Sequence, residues 1–176
     1  GNIYSSTECV GINCATSATW TLKADDYAAA GLTYPWTNVA ATLKGAATGI
    51  KIVGNNNANI VDIKGPFDTK AKVVLTAPGP TWRVGDNQTI SWTSYGTPAG
   101  LTVDWGTSGV GGPWPNNIAT GVTGASTAWN NIPSSAISSN VSIKIYEPSD
   151  SNLTTGVAAA SAAFSVKPQN SHVVLN

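Results

Sequence analysis

The amino-acid sequence predicts an all-β fold, in which a two-sheet sandwich over residues 72–168 follows a smaller β-rich unit. The first observation is the alternation of apolar and polar residues, as in Asn87–Ser94, where Ile90 and Trp92 share one face. That period of two describes a strand with one buried and one solvated side. The second observation is that clusters of Gly, Pro, Asn and Asp separate about seven such segments, which is the pattern of a β-sandwich.

The N-terminal part, residues 1–65, has less regular patterning and lacks a clear counterpart of the sandwich's first strand. Acidic residues open Asp25–Ala30 and a glycine follows it, so we expect one helical turn there. Residues 66–71 combine Gly, Pro and Asp, and we expect them to form a linker. The expected strands of this part are Ala18–Leu22, Asn38–Leu43, Gly49–Val53 and Asn59–Lys64.

The sandwich itself is expected to be built from short strands around one apolar core. Gly106–Pro115 is rich in Gly and Pro and is expected to form a loop. The strands are Lys72–Thr76, Asn87–Ser94, Leu101–Trp105, Asn117–Val122, Ala125–Asn130, Val141–Tyr146 and Ala160–Lys167. The alternation predicts a core made of Ile90, Trp92, Val103, Trp129, Ile143, Ile145, Phe164 and Val166.

Charge is sparse in this chain, since only 10% of its residues are charged, against about 25% in a typical soluble domain. Nine basic and nine acidic residues cancel, so the electrostatic footprint of a nucleic-acid binder is missing. No apolar run approaches the roughly 20 residues of a membrane span. Thr, Ser, Asn and Gly carry the polarity instead, as on the sheets of secreted proteins. We therefore expect an extracellular or cell-surface protein, with no nucleic-acid partner and no membrane insertion.

The chain contains neither methionine nor a segment patterned like a signal peptide, and we interpret it as a mature or excised segment. Its two cysteines, Cys9 and Cys14, stand close together in a loop-like stretch. A zinc site would need further Cys or His nearby. We expect the two cysteines to form a local disulfide, which belongs to an oxidising compartment. Two reduced, buried thiols are the alternative.

No constellation of residues in the sequence points to catalysis, and we expect neither an enzyme nor a cofactor. The chain has one histidine, His172, which lies in a linker-like stretch without a partner in sequence. The loop from Glu147 through Asp150 to Asn152 contains oxygen ligands of the type that calcium prefers. The six or more oxygens that calcium requires are not evident, so we favour a plain turn.

Seven tryptophans in so short a chain require an interpretation. Trp92 and Trp129 fit the core, whereas Trp36, Trp82 and Trp114 stand beside Gly, Pro or polar residues. Exposed aromatic rings next to such residues form stacking platforms for sugars or anchors at subunit interfaces. Small β domains also use tryptophan as a lid over the core. We therefore regard these three as candidate glycan-binding or interface aromatics.

A short sequence at the start of the sandwich recurs after its end. Lys72-Val-Val-Leu-Thr76 recurs as His172-Val-Val-Leu-Asn176, and each copy follows a predicted final strand and a short linker. Matched boundaries of this kind indicate tandem repeats. Chance similarity between short β-rich segments is the alternative. If the repeat is real, Val173, Val174 and Leu175 belong to the first strand of another unit.

The pattern of the sandwich resembles a known family. The resemblance covers residues 72–168 and places them with the Kre9/Knh1-type immunoglobulin-like module of fungal cell-wall proteins and tandem prokaryotic surface proteins. That family implies a seven-stranded immunoglobulin-like sandwich in an extracellular scaffold, without catalytic residues. The residues that carry the resemblance are Ala77-Pro78, Trp82, Gly85, Thr89–Trp92, Val103, Ile118-Ala119, Trp129, Ile132-Pro133, Ile143–Ile145 and Phe164–Val166.

These observations together favour a structural protein that works by assembly. The N-terminal unit is too short to be a whole repeat, and Val173–Leu175 has no following domain in this sequence. We expect this segment to act as an assembly strand that completes the N-terminal unit of the next copy by strand addition. Such a head-to-tail contact does not close and yields a filament. The alternatives are one segment of a tandem array and a module that adheres to cell-surface polysaccharide.

Overall fold

The computed structural model describes residues 2–6, 14, 19–24, 45–154 and 156–169. The described chain is almost entirely β, as the sequence predicts. It divides into two compact units, Gly1–Ala71 and Lys72–Asn176. The predicted helical turn Asp25–Ala30 and the predicted strand Asn38–Leu43 lie outside the described residues.

The described strands of the first unit form one antiparallel sheet in the order β2-β1-β3-β4. Its first strand was not predicted, because two of its three buried residues are serines and its apolar signal is weak. Ser5 is fully buried and Ser6 is 3% exposed. The four strands are β1 (Asn2–Ser6), β2 (Thr21–Ala24), β3 (Gly45–Val53) and β4 (Val61–Thr69).

Strand β4 corrects the predicted linker at 66–71, since residues 66–69 belong to the strand. Phe67 pairs with Thr48 and Thr69 with Gly45, so pairing with β3 continues along the whole segment. The hydroxyl oxygens of Thr48 and Thr69 lie 2.9 Å apart and share a hydrogen bond. Pro66 is tolerated because β4 is the outer strand of the described sheet and its pairing with β3 is irregular at this point.

The second unit contains a three-stranded sheet, β10-β7-β5, and a larger sheet in the order β6-β13-β11-β8-β9. Neighbouring strands are antiparallel except β6 and β13, which run parallel. A short 3₁₀ turn spans Ser134–Ala136. The strands are β5 (Lys72–Leu75), β6 (Thr81–Arg83), β7 (Gln88–Tyr95), β8 (Leu101–Gly106), β9 (Asn116–Val122), β10 (Ser126–Trp129), β11 (Ser138–Tyr146), β12 (Ala158–Ala160) and β13 (Phe164–Lys167).

The predicted final strand, Ala160–Lys167, is two strands. Both β12 and β13 pair with β11, and the chain breaks between them at Ser161. The Ser161 side chain is buried, and its Oγ accepts a hydrogen bond from the Ile143 N–H at 3.0 Å. The Ser161 N–H donates to the Ile143 carbonyl at 2.8 Å. At the break, these two hydrogen bonds between the buried Ser161 and Ile143 of β11 replace regular strand pairing.

The core of the second unit lies between its two sheets. Trp129 of β10 and Trp105 of β8 meet across the sheets, with ring centroids 5.1 Å apart. Such tilted aromatic pairs contribute beyond the area they bury. All eight predicted core residues are buried, at 5% exposure or less: Ile90, Trp92, Val103, Trp129, Ile143, Ile145, Phe164 and Val166.

Candidate functional site

Trp82 was a candidate glycan-binding or interface aromatic, with a place over the core as the alternative, and the structure places it in the core. The side chain is 6% exposed and belongs to the core. Strand β6 runs parallel to β13 and sets Trp82 opposite Val166. From there the Trp82 ring lies 4.7 Å from the Phe164 ring and meets the Trp129 ring edge-on at 6.0 Å. The prolines and glycine before β6 concealed a three-residue strand, which is too short to show alternation.

Trp114 is half-buried, and the loop that carries it is packed onto the outer face of β8 and β11. Its indole Nε1 donates to Ser142 Oγ at 2.8 Å, and that hydroxyl donates to the Gly109 carbonyl at 2.6 Å. The Gly109 N–H donates to the Asn140 carbonyl at 2.9 Å. A side chain at Gly112 would overlap the Trp114 ring, so the ring lies directly on that backbone. The loop therefore fixes Trp114 against the sheet.

Next to Trp114, polar residues form a row across three strands of the larger sheet. Lys144 of β11 pairs with Asp104 of β8, and Asp104 pairs with Asn117 of β9. Asn117 Nδ2 donates to Asp104 Oδ1 at 2.8 Å, and Tyr146 Oη donates to Asp104 Oδ2 at 2.7 Å. The carboxylate of Asp104 is thus held by two neutral donors. We call Trp114, Lys144, Tyr146, Asp104 and Asn117 the outer-face cluster.

The Lys144 ammonium lies between the two aromatic rings of this cluster. Its Nζ is 4.6 Å from the centroid of the Tyr146 ring and 5.4 Å from that of Trp114. Both distances are within the range of cation–π attraction. The hydrogen bond to Asp104, partial burial and the charge of Asp104 raise the pKa of Tyr146 above its usual value of 10.0. The phenol therefore stays a neutral donor well into the alkaline range.

A second feature of this unit is an open groove of about 510 Å³ at the end of β7. Trp92, Thr93 and Ser94 form one side of it, and Thr97 and Pro98 follow in the next turn. The opposite side is the turn between β9 and β10, at 123–125. None of these side chains carries a charge. We call this feature the β7 groove.

The β7 groove exists because β10 is shorter than β7. Strand β10 pairs with β7 only from Gln88 to Ser91. The Trp92 N–H makes one more bond, to the Ala125 carbonyl at 2.9 Å, and the chain then turns away. The indole Nε1 of Trp92 is buried and has no hydrogen-bond partner among the described residues.

The outer strand β4 of the first unit's described sheet differs from this open stretch. In the described sheet β4 has β3 as its only neighbour, and every residue of β4 is exposed or half-buried. Asp62 and Lys64 form an ion pair at 3.3 Å on this strand, and Pro66 follows. Charges and proline are the residues with which natural sheets prevent edge pairing. The edge of β4 is therefore a poor acceptor for another strand.

Several predicted site residues lie outside the described part of the chain. They are Cys9, Trp36, Val173, Val174 and Leu175. Cys14 is described: it is 3% exposed, and its Sγ lies 3.9 Å from the Lys64 carbonyl oxygen. No cysteine among the described residues is a free thiol. The Cys9–Cys14 pairing itself stays a prediction.

Glu147 and Asn152, from the loop considered for calcium, form hydrogen bonds that hold the fold together. Glu147 is 5% exposed, and its Oε1 accepts the Ala99 N–H at 2.6 Å, which ties the turn after β7 to the end of β11. In the loop that follows, Asn152 Oδ1 accepts the Thr154 N–H at 2.7 Å. Within the described ranges, no three His, Cys, Asp or Glu side chains come together as metal ligands would. The same ranges contain no helix with the length and apolarity that crossing a bilayer requires.

Of the outer-face cluster, only Trp114 was a candidate from the sequence. The alternation of β8 and β11 places Asp104, Lys144 and Tyr146 on the outer face, but the strand register that joins them cannot be read from one sequence. The β7 groove was missed because it arises from a difference in strand length. The turn residues Thr123-Gly124, which precede β10, are the feature of the sequence that could have indicated a late start of β10.

Comparisons with known proteins add no relative. No protein-family profile matches the chain, no curated protein matches it, and no solved structure matches it.

Proposed function

We propose that this chain is a structural, extracellular β-sandwich protein that works by head-to-tail assembly, either in a surface filament or within a tandem surface array. The proposal includes an immunoglobulin-like arrangement for the second unit. In immunoglobulin domains strands A, B and E share one sheet, while C, F and G share the other. With β5, β7 and β10 as A, B and E, and β8, β11 and β13 as C, F and G, the sheets have this membership.

The observation that carries the assembly proposal is the environment of the first Val-Val-Leu segment. Lys72–Leu75 forms β5, the outer strand of its sheet, which follows β4 after two residues. Val73 is 4% exposed and Val74 is 42% exposed, so the segment buries one face. The near copy at Val173–Leu175 has the same apolar sequence and follows β13 after a short stretch. Two such boundaries support a chain of sandwich units linked through their first strands.

Sedimentation velocity over a concentration series tests the proposal. We expect the intact chain to form growing oligomers as its concentration rises. A chain that lacks residues 171–176 should stay monomeric and retain the circular dichroism spectrum of the intact chain. The proposal fails if the intact chain stays monomeric at all concentrations, or if the truncated chain assembles equally well.

Adhesion to cell-surface polysaccharide is the second candidate, and the outer-face cluster favours it. Aromatic rings beside hydrogen-bonding carboxylate and amide groups are typical of sugar sites, and Trp114 and Tyr146 stand beside Asp104 and Asn117. Titration with soluble polysaccharides should then change tryptophan fluorescence. Trp114→Ala should abolish the change, whereas Trp20→Ala, in the first unit, should preserve it. An unchanged response in Trp114→Ala would exclude the cluster as the sugar site.

A further inference from the structure

The unpaired stretch of β7 beside the groove has the backbone polarity of a strand acceptor. The Thr76 N–H donates to the Ser91 carbonyl at 2.9 Å, so the odd-numbered residues of β7 bond to β5. Because bonding alternates along an antiparallel strand, Trp92 and Ser94 point their N–H and C=O groups toward the groove. Trp92 uses its N–H there. Ser94 forms no backbone hydrogen bond on this side among the described residues.

On its other edge, the same stretch of β7 pairs with β5, and this pairing shows which sequence β7 accepts. Strand β5 aligns Val73 with Ser94, Val74 with Thr93 and Leu75 with Trp92. The segment Val173-Val174-Leu175 repeats this apolar sequence. It also suits the groove electrostatically, because neither the groove side chains nor these three residues carry a charge. The chain thus contains a second copy of the one sequence that β7 already pairs with at these positions.

The described chain ends at Gln169, and the groove lies at the opposite end of the sandwich. After β13, the Lys167 carbonyl accepts the Val84 N–H at 3.0 Å, and the Pro168 carbonyl accepts a bond from Arg83 at 3.2 Å. The side chain of Gln169 lies beside Gly85, just before β7 begins. The groove lies where β7 ends. A donor segment that leaves from one end and an acceptor at the other suit a contact between successive copies.

We propose that the β7 groove is the acceptor for Val173–Leu175 of a second copy, which adds there as a strand beside Trp92–Ser94. This inference rests on the proposed assembly and moves its acceptor from the first unit, where the edge of β4 is protected by charges and proline, to the sandwich. The added strand bonds to the N–H and C=O groups of Ser94 and to the Trp92 carbonyl. Main-chain bonds supply the affinity in this mode of recognition, and alternate side chains supply its specificity.

Filling the groove with a large side chain tests this assignment in the full chain. Gly124 lines the groove, and a Cβ there would meet only the backbone of Ser126, at 3.9 Å or more. Gly124→Trp therefore blocks the groove without strain in its own turn. Gly111, in the loop of Trp114, has open space around it, so Gly111→Trp is a matched control. We expect Gly124→Trp to weaken assembly at least tenfold by sedimentation velocity, and Gly111→Trp to assemble as the unchanged chain does.

Hydrogen exchange supplies a second readout at the proposed bond. The Ser94 amide should exchange more slowly in the assembled chain than in a dilute sample, when exchange is quenched and read after disassembly. The inference is overturned if Gly124→Trp assembles normally, or if exchange at Ser94 is the same in both states.

A failure of the proposed function itself would look different, because the intact chain would then not assemble. In that case a synthetic peptide of residues 171–176, added in excess to the intact chain, still tests the groove. Slower exchange at Ser94 would support the acceptor site. Unchanged exchange at saturating peptide would overturn it.

Discussion

At the scale of single residues, burial and hydrogen bonding decide what each aromatic side chain does. Trp92 and Trp82 are both buried, although only Trp92 was predicted to be. The difference lies in the local sequence: Trp92 stands in a long alternating strand, while Trp82 stands in a three-residue strand after prolines. Alternation identifies a buried residue only where the strand is long enough to repeat.

Trp92 gives the most direct stability prediction. Trp92→Ala should lower the free energy of unfolding by about 3–5 kcal/mol, the range for buried aromatic residues. Trp92→Phe should cost clearly less, because the indole Nε1 has no partner among the described residues and its loss breaks no bond. Urea unfolding of the three chains measures both values. A loss below about 1 kcal/mol for Trp92→Ala would mean that the side chain is not a core residue.

Tyr146 gives a prediction about pH. Its folded-state pKa is raised, chiefly by the hydrogen bond to Asp104, so the neutral phenol is favoured in the folded state. The stability that follows is fully present below the unfolded pKa of about 10 and is lost as pH rises through the folded pKa. Tyr146→Phe lacks this contribution.

The stability difference between the unchanged chain and Tyr146→Phe should therefore be constant from pH 7 to about 9 and shrink above about pH 10. Urea unfolding of both chains at each pH measures it. A difference that does not change with pH would show that Tyr146 gains nothing from Asp104.

At the scale of the elements, alternation predicted strands well where one face is apolar. Strands β7, β8 and β11 have their predicted phase, with Ile90, Val103 and Ile143 buried. Strand β1 escaped prediction because serines fill its buried positions, and the break before β13 escaped because Ser161 bonds to β11 with its side chain. Hydrogen bonds that replace apolar contacts leave no periodic signal in a sequence.

The loop over the outer face gives a prediction at this scale. Gly106 ends β8, and a Cβ there would overlap the carbonyl oxygen of Pro113 and approach the Trp114 Cα to 3.2 Å. Gly106→Ala should therefore displace the loop, lower stability by about 1–3 kcal/mol and change the fluorescence of Trp114. Gly111→Ala, in open space, should stay within about 0.5 kcal/mol of the unchanged chain. Equal stability of the two variants would contradict the packing described for this loop.

At the scale of the whole molecule, we expect each copy to carry one donor and one acceptor. The donor, Val173–Leu175, was predicted from the repeated sequence alone. The sequence led us to expect the acceptor in the N-terminal unit, whereas our further inference places it in the sandwich, because of the strand length in β10 and the charge on β4. Such features depend on which strands become neighbours, and a single sequence does not specify this.

A complementation experiment tests this claim most directly. One variant lacks residues 171–176 and keeps the acceptor, and the other carries Gly124→Trp and keeps the donor. Each variant alone has only one half of the contact and should sediment as a monomer. An equimolar mixture should form a one-to-one dimer and nothing larger, because the dimer has no remaining donor or free acceptor. A mixture that sediments only as monomers, or one that grows beyond dimers, would contradict head-to-tail assembly through the β7 groove.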